Sequence, residues 1–565
     1  MTEKPQKTKK PWHRRKRVWG LVIVILLAYF CLVPSRTRIS PETTGITGPL
    51  TADGKVDYFA AFEKLYIDKL SPPEDNGLRY MVAACGPSIL EQVPLVESMP
   101  WEEIQTTEKS NWFRTRWMPL CEHMYIDPYK KPVFYDSRAF YWYMSNLKQK
   151  QQEVANEDSI ENDLPDHETL WKKLTAAPWK TEDEPITAKW LKDRSPVLDY
   201  LGVCVRKPNY TCYRWPSESL IAILLPEVQA HRDFVRDLFI RVSERVGRGD
   251  LDGAWQDVMS MKHIAIHYKN EPIFVPNIIG IAIESMANEA AQLILTYGQP
   301  TQEQLTRFLQ DLNALPQPNA FSLSMMLERT CSYELLRYCK SGQAWEFYNP
   351  IQLITSLDGR KNNQATIMAL SYLPFDANIA GKRLTELYSE LYGEFGLKDF
   401  SFEPHKESNP VLLRQFGDRV GEVAAQLEAD LKNMQLHRIP LIRTRSKLLA
   451  EYLFFNTVSA LNGLLGAFTR IEAENEMLKI ALALEHAKRV RGEYPANLDA
   501  LVPTYFLMTP LDPYTGRASF VYKLTPGGEH PFVLYSLGPN AKDDGGLPME
   551  KSGGSTMDYD VVFWK

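Results

Sequence analysis

Residues 227–268 read EVQAHRDFVRDLFIRVSERVGRGDLDGAWQDVMSMKHIAIHY, and this stretch decides the fold. Val228, Phe234, Leu238 and Val242 fall on one helical stripe, and Gly247 and Gly249 close the run. Asp250 is placed to cap a second helix that begins at once. Beyond it, NIIGIAIESMANEAAQLILTYG (277–298) is a more apolar helix that stops at Gly298. TQEQLTRFLQDL then opens with Thr301 and Gln304 at capping-box spacing, ahead of Leu305, Phe308, Leu309 and Leu312. Helices joined by a few residues predict antiparallel helical hairpins. The GDLDGAW opening is like one helix of a tetratricopeptide hairpin, but no repeat of roughly 34 residues is sustained. The reading is therefore an irregular helical stack rather than a regular solenoid.

Toward the N-terminus the pattern changes. Residues 1–17, MTEKPQKTKKPWHRRKR, hold eight Lys/Arg against the single acid Glu3. Val18 to Pro34 carry no charge, and seventeen residues in a helix reach roughly 26 Å, the short limit of a bilayer span. The basic flank puts the N-terminus in the cytoplasm and the bulk of the chain outside. CLVPSRTRIS lacks the small residues that signal-peptide cleavage needs, so the segment reads as an uncleaved anchor. Taking the arm's +7 from the total of −5 leaves −12 on the rest, a balance that argues against nucleic acid as a partner. LLAEYLFFNTVSALNGLLGAF (448–468) is apolar enough to test as a second span, but it holds Glu451, Asn456 and Asn462. Its basic flank lies on the wrong side for a span, so a buried helix is expected.

Cys85, Cys121, Cys204, Cys212, Cys331 and Cys339 suit an oxidising compartment. The Lys-Pro-Asn turn between Cys204 and Cys212 suits a local bridge. Cys331 and Cys339 share one predicted helix, which separates them by about 12 Å, too far for a disulfide.

Signatures of chemistry are sparse. His263 and His267 stand at i and i+4, yet Ile264 occupies the place where a zincin needs Glu, and no third ligand is evident. Ser145 to Lys148, SNLK, has a serine–lysine spacing inside a Tyr/Trp-rich helix, the wrong context for a penicillin-binding enzyme. Asn209-Tyr210-Thr211 is a glycosylation sequon. Trp101, Trp112, Trp117, Trp142, Trp171, Trp179 and Trp190 suggest either a sugar-stacking cleft or, more simply, helix packing.

The C-terminal end reads differently again. A helix with Met477, Ile480, Leu484 and Ala487 on one stripe ends near Gly492, and EYPANLDALVP follows. LDPYTG makes a turn, Phe520 and Tyr522 alternate as a strand, and Gly527-Gly528 joins it to VLYSLG. PNAKDDGG and DYDVVFW complete the tail. This order of Gly-x-Tyr-Pro, LDPYTG and YSLGPN…GG…D-V resembles the globular half of the major pseudopilin of type II secretion, over roughly the last 90 residues. The whole chain also resembles a group of bacterial membrane-anchored proteins with a helical body and such a tail. It is not itself a pseudopilin, since it lacks the N-terminal methylation motif.

The resemblance implies calcium in the terminal loop. Leu537 would offer a carbonyl, and Asp558 and Asp560 the late acids. Asn540 replaces the family's usual Asp, a loss that Asp543 and Asp544 would offset.

The expected architecture is mainly α. It comprises a basic arm (1–17), a transmembrane helix (18–34), a linker (35–55), a Trp-rich helical region (56–200) and a helical-hairpin body (201–443). A long helix (444–490) then leads into a small α+β pseudopilin-like tail (491–565). The expected function is a scaffold or interaction protein of a bacterial envelope, linked to a secretion or pilus-like assembly. It would be single-pass in the inner membrane, with the bilayer at 18–34 and envelope proteins as partners. The alternative is a glycan-acting envelope hydrolase with its site in the Trp-rich region.

Overall fold

A computed structural model describes residues 36–70, 73–89, 117–134, 139–140, 143–145, 167–214, 219–220, 223, 225, 227–316, 321–341, 375–393, 418–423, 425–426, 429, 442–528, 530–548 and 559–564. The expected span at 18–34 lies outside these residues. The protein is mainly helical. In chain order the helices are α1 (Pro41–Thr44), α2 (Tyr58–Leu70), α3 (Gly77–Cys85), α4 (Met118–His123), α5 (His167–Ala176), α6 (Pro185–Cys204), α7 (Val228–Gly247), α8 (Leu251–Lys269), α9 (Phe274–Tyr297), α10 (Gln302–Asn313), α11 (Phe321–Ser341), α12 (Ala377–Gly393) and α13 (Ile442–Arg491). Three strands follow, β1 (Val521–Leu524), β2 (Phe532–Ser536) and β3 (Val561–Trp564).

The chain divides into two compact units. One comprises residues 1–58, 329–400 and 420–459. Within it Ser332 Oγ lies 2.7 Å from the Tyr388 hydroxyl and 3.0 Å from Thr457 Oγ1. Thr385 Oγ1 donates to the Glu42 carbonyl at 2.8 Å, and Arg383 pairs with Glu451 at 3.0 Å.

The other unit holds residues 59–328, 401–419 and 460–565. The helical hairpins form at its centre as the caps predict. Asp250 accepts from the Gly253 amide at 3.0 Å and starts α8. Thr301 and Gln304 make the reciprocal capping box of α10, at 3.2 and 3.0 Å. A Cβ on Gly280 would stand 2.7 Å from the Ala265 carbonyl, so glycine there lets α9 lie close against α8.

The tail shares this core. Leu498, Leu501, Phe520, Phe532 and Leu534 belong to the same hydrophobic cluster as Leu238, Val258 and Ile294 of α7, α8 and α9. Met477, Ile480, Leu484 and Ala487, the stripe read from sequence, are fully buried in it. Helix α13 ends where Gly492 turns to positive φ (+84°). The strands form one antiparallel sheet ordered β1-β2-β3, with Val521 opposite Tyr535 and a bulge at Leu534/Tyr535.

Two described helices, α9 and α13, are long and apolar enough to cross a membrane, and half or more of each apolar window is buried within the fold. Helix α9 also carries the buried polar residues Asn277, Glu284 and Asn288.

Candidate functional site

In the loop for which calcium is expected, the described carboxylates accept hydrogen bonds from the protein's own donors. Asp560 is almost fully buried and accepts from the amides of Gly546 (2.6 Å), Leu547 (3.2 Å) and Asp544 (3.5 Å). Burial raises its carboxyl above the usual range despite these amides. Asp543 accepts from the Tyr535 hydroxyl at 2.8 Å and from the Gly545 amide at 2.9 Å, while Asn540 donates to Asp544 at 2.8 Å. Leu537 is held through its own amide, 2.8 Å from Asp512 Oδ2. Asp558 lies outside the described residues. Among the described residues no three His, Cys, Asp or Glu side chains gather into a metal-holding group. As arranged, these carboxylates are acceptors for amide and hydroxyl protons.

Asp512 is the centre of the tail instead. Fully buried, it accepts from Ser536 Oγ (2.9 Å), the Leu537 amide (2.8 Å) and the Tyr514 amide (3.0 Å), which ties LDPYTG to YSLG.

Among the described residues, a gathering of titratable groups around a small cavity lies in the helical body. Asn76 caps α3 and exchanges two hydrogen bonds with the Thr211 backbone, at 2.8 and 3.2 Å. That contact fixes the extended segment carrying Tyr210, Cys212 and Arg214. Glu227 immediately precedes α7, and His231 lies in its first turn. His267 and Tyr268 come from the last turn of α8, and Glu271 from the turn into α9. Asn277 and Ser324 fix the Glu271 carbonyl at 2.8 and 3.1 Å. These elements enclose a cavity with room for about one water molecule, lined by Leu78, Tyr210, Glu227, His231, His267, Tyr268 and Glu271.

Its electrostatics are divided. Arg214 holds Glu227 at 2.7 and 2.8 Å. Burial works to raise the Glu227 carboxyl, yet the adjacent guanidinium keeps it below its ordinary value and ionised. Arg214 stands 3.7 Å from Glu271, beyond hydrogen-bond reach, and its charge is already matched by Glu227. Burial therefore prevails at Glu271 and pushes its carboxyl up to about 8. His231 Nδ1 lies 2.6 Å from the Glu227 carbonyl, so that nitrogen carries the proton and Nε2 accepts from the Tyr210 hydroxyl at 2.7 Å. His267 donates from Nε2 to the Val205 carbonyl at 2.7 Å and stacks on Tyr210. Burial lowers both histidines, His267 to about 4, so both are neutral at physiological pH.

Other residues singled out in the sequence do not converge here. His263 is half-buried one turn from His267, and among the described residues no third His, Cys, Asp or Glu joins the pair in a metal-holding group. Ser145 is exposed, and Lys148 lies outside the described residues. Trp117, Trp179 and Trp190 are buried and Trp171 half-buried, while Trp101, Trp112 and Trp142 lie outside the described residues. The local bridge expected between Cys204 and Cys212 is not formed, and no two of Cys85, Cys121, Cys204, Cys212, Cys331 and Cys339 are joined. Burial pushes the Cys204 thiol up to about 12 and Cys212 well above its usual value, as for packed core thiols.

Comparison with family models, curated proteins and solved structures finds no match.

Proposed function

We propose that the chain is a membrane-anchored scaffold or interaction protein of a bacterial cell envelope, linked to a secretion or pilus-like assembly. The observation that carries this reading is that, among the described residues, the cluster of Tyr210, His231 and Glu271 surrounds a space no larger than about one water, too small for an organic substrate. The tail motifs, which resemble an assembly subunit, add support, as does the way α13 roots the tail in the helical core. The buried Trp117, Trp179 and Trp190 give a glycan-stacking cleft little to build on.

Gentle purification of the full chain from solubilised membranes of its own host tests the proposal. The expected result is a complex with the same envelope proteins in every repeat, and protease sites after residue 35 cut only from outside. A chain that always purifies alone, or is cut from the cytoplasmic side, contradicts it.

A further inference from the structure

Two polar atoms on the cavity wall have no hydrogen-bond partner among the described residues: Glu271 Oε2 and the Tyr268 hydroxyl. Both residues are more than nine-tenths buried. An unsatisfied buried polar atom costs about 1–3 kcal/mol, so two on one small cavity call for a common partner. Arg214 does not fill that role for Glu271, because it stands 3.7 Å away and is committed to Glu227.

We propose that the cavity is a binding site for a single water molecule, held between the Glu271 carboxylic acid and the Tyr268 hydroxyl. A buried water takes two to four polar partners, and these two atoms supply a donor and an acceptor whichever way the hydroxyl rotates. The lining excludes larger ligands by size, and Arg214 beside it disfavours a metal cation. In this site Glu271 must carry its proton. Arg214 is paired with Glu227, while Tyr210, His231 and His267 are neutral and engaged with each other or with backbone carbonyls. Cys212 adds no charge of either sign.

The site makes folding depend on pH. With Glu271 raised from its ordinary 4.5 to about 8, the folded state holds a proton that the unfolded chain has lost. The Glu271 contribution is therefore complete below pH 4.5 and is lost as pH rises to about 8. The histidines act oppositely: His267 and His231 must stay neutral, which favours unfolding as pH falls below about 6.5.

Three measurements on the full-length chain in detergent test the proposal. A high-resolution crystal structure near pH 6 is expected to show one water within hydrogen-bond distance of both Glu271 Oε2 and the Tyr268 hydroxyl. Direct contact between the two side chains, or density larger than water, overturns it. Difference infrared spectra across about pH 5 to 9 are expected to contain the carbonyl band of a protonated acid, absent from Glu271→Gln and displaced in Tyr268→Phe. Spectra in which Glu271→Gln removes no such band overturn it as well. The Gln variant keeps the size of the neutral acid, so its melting temperature is expected to equal or exceed that of the parent at pH 8 and to fall less steeply with pH.

Discussion

Nζ of Lys262 in α8 lies 2.6 Å from Oδ1 of Asn475 in α13, across 213 residues of sequence. The same ammonium reaches Asn288 Oδ1 at 2.5 Å and Glu284 at 3.6 Å, while Asn475 donates to Glu284 at 3.0 Å. A buried polar network of this kind joins the helical hairpins to the helix that carries the tail.

Replacing Lys262 by Met is expected to destabilise the chain by about 1–3 kcal/mol in urea unfolding, since Asn288 and Asn475 lose a donor while Glu284 keeps Lys269. The variant also alters the pH profile. Burial lowers Lys262 from 10.5 to about 8, so the unfolded chain binds more protons between those values and stability rises with pH across that window. Lys262→Met removes this rise, and a profile unchanged by the substitution contradicts the assignment.

The shared core predicts that the tail does not fold alone. Residues 470–565 expressed separately lose the helices that cover Met477, Ile480 and Leu484. A cooperative melting transition from that fragment contradicts this expectation; a broad, sloping curve with dye-binding apolar surface agrees with it.

Within the tail, Asp512→Ala removes the acceptor for Ser536, Leu537 and Tyr514 and is expected to cost about 2–4 kcal/mol. Gly538→Ala is expected to be comparably damaging for another reason. Gly538 has φ +64°, and a Cβ there would stand 2.0 Å from the Tyr559 carbonyl, just before β3. Variants with unchanged chemical-denaturation midpoints would show that the loop does not brace the sheet.

Calcium supplies a fourth test. Because Asp543, Asp544 and Asp560 already accept protein hydrogen bonds, the melting temperature of the full chain is expected to be the same in calcium and in chelator. A calcium-dependent rise that disappears in Asp543→Asn or Asp544→Asn contradicts the closed-loop reading and favours the ligand set implied by pseudopilins.

Much of the helical architecture was legible in the sequence because it depends on local signals. The Thr301 capping box, the Asp250 cap and the stripe from Met477 to Ala487 each involve residues within a few turns of one another, and all appear where expected. The hairpin about Gly527-Gly528 was legible for the same reason. The cavity was not. Tyr210 comes from an extended segment, Glu227 and His231 from the start of α7, and Tyr268 and Glu271 from the end of α8 and its turn. No periodicity links these positions, and a glutamate in a turn ordinarily reads as solvated. The one available signal was the density of His, Tyr and Glu at helix ends, and His267 drew attention for a metal role for which no group of three His, Cys, Asp or Glu is found among the described residues.

The scaffold reading is tested most directly by photo-crosslinking from the tail in intact cells of the protein's own host. Leu507 is the suitable position, being 97% exposed beside Met508 at 69%. A photoreactive residue there is expected to capture one defined envelope protein, reproducibly and only in cells. Leu507 adducts that contain lipid alone, or none at all, while the chain remains folded and anchored, would contradict the account.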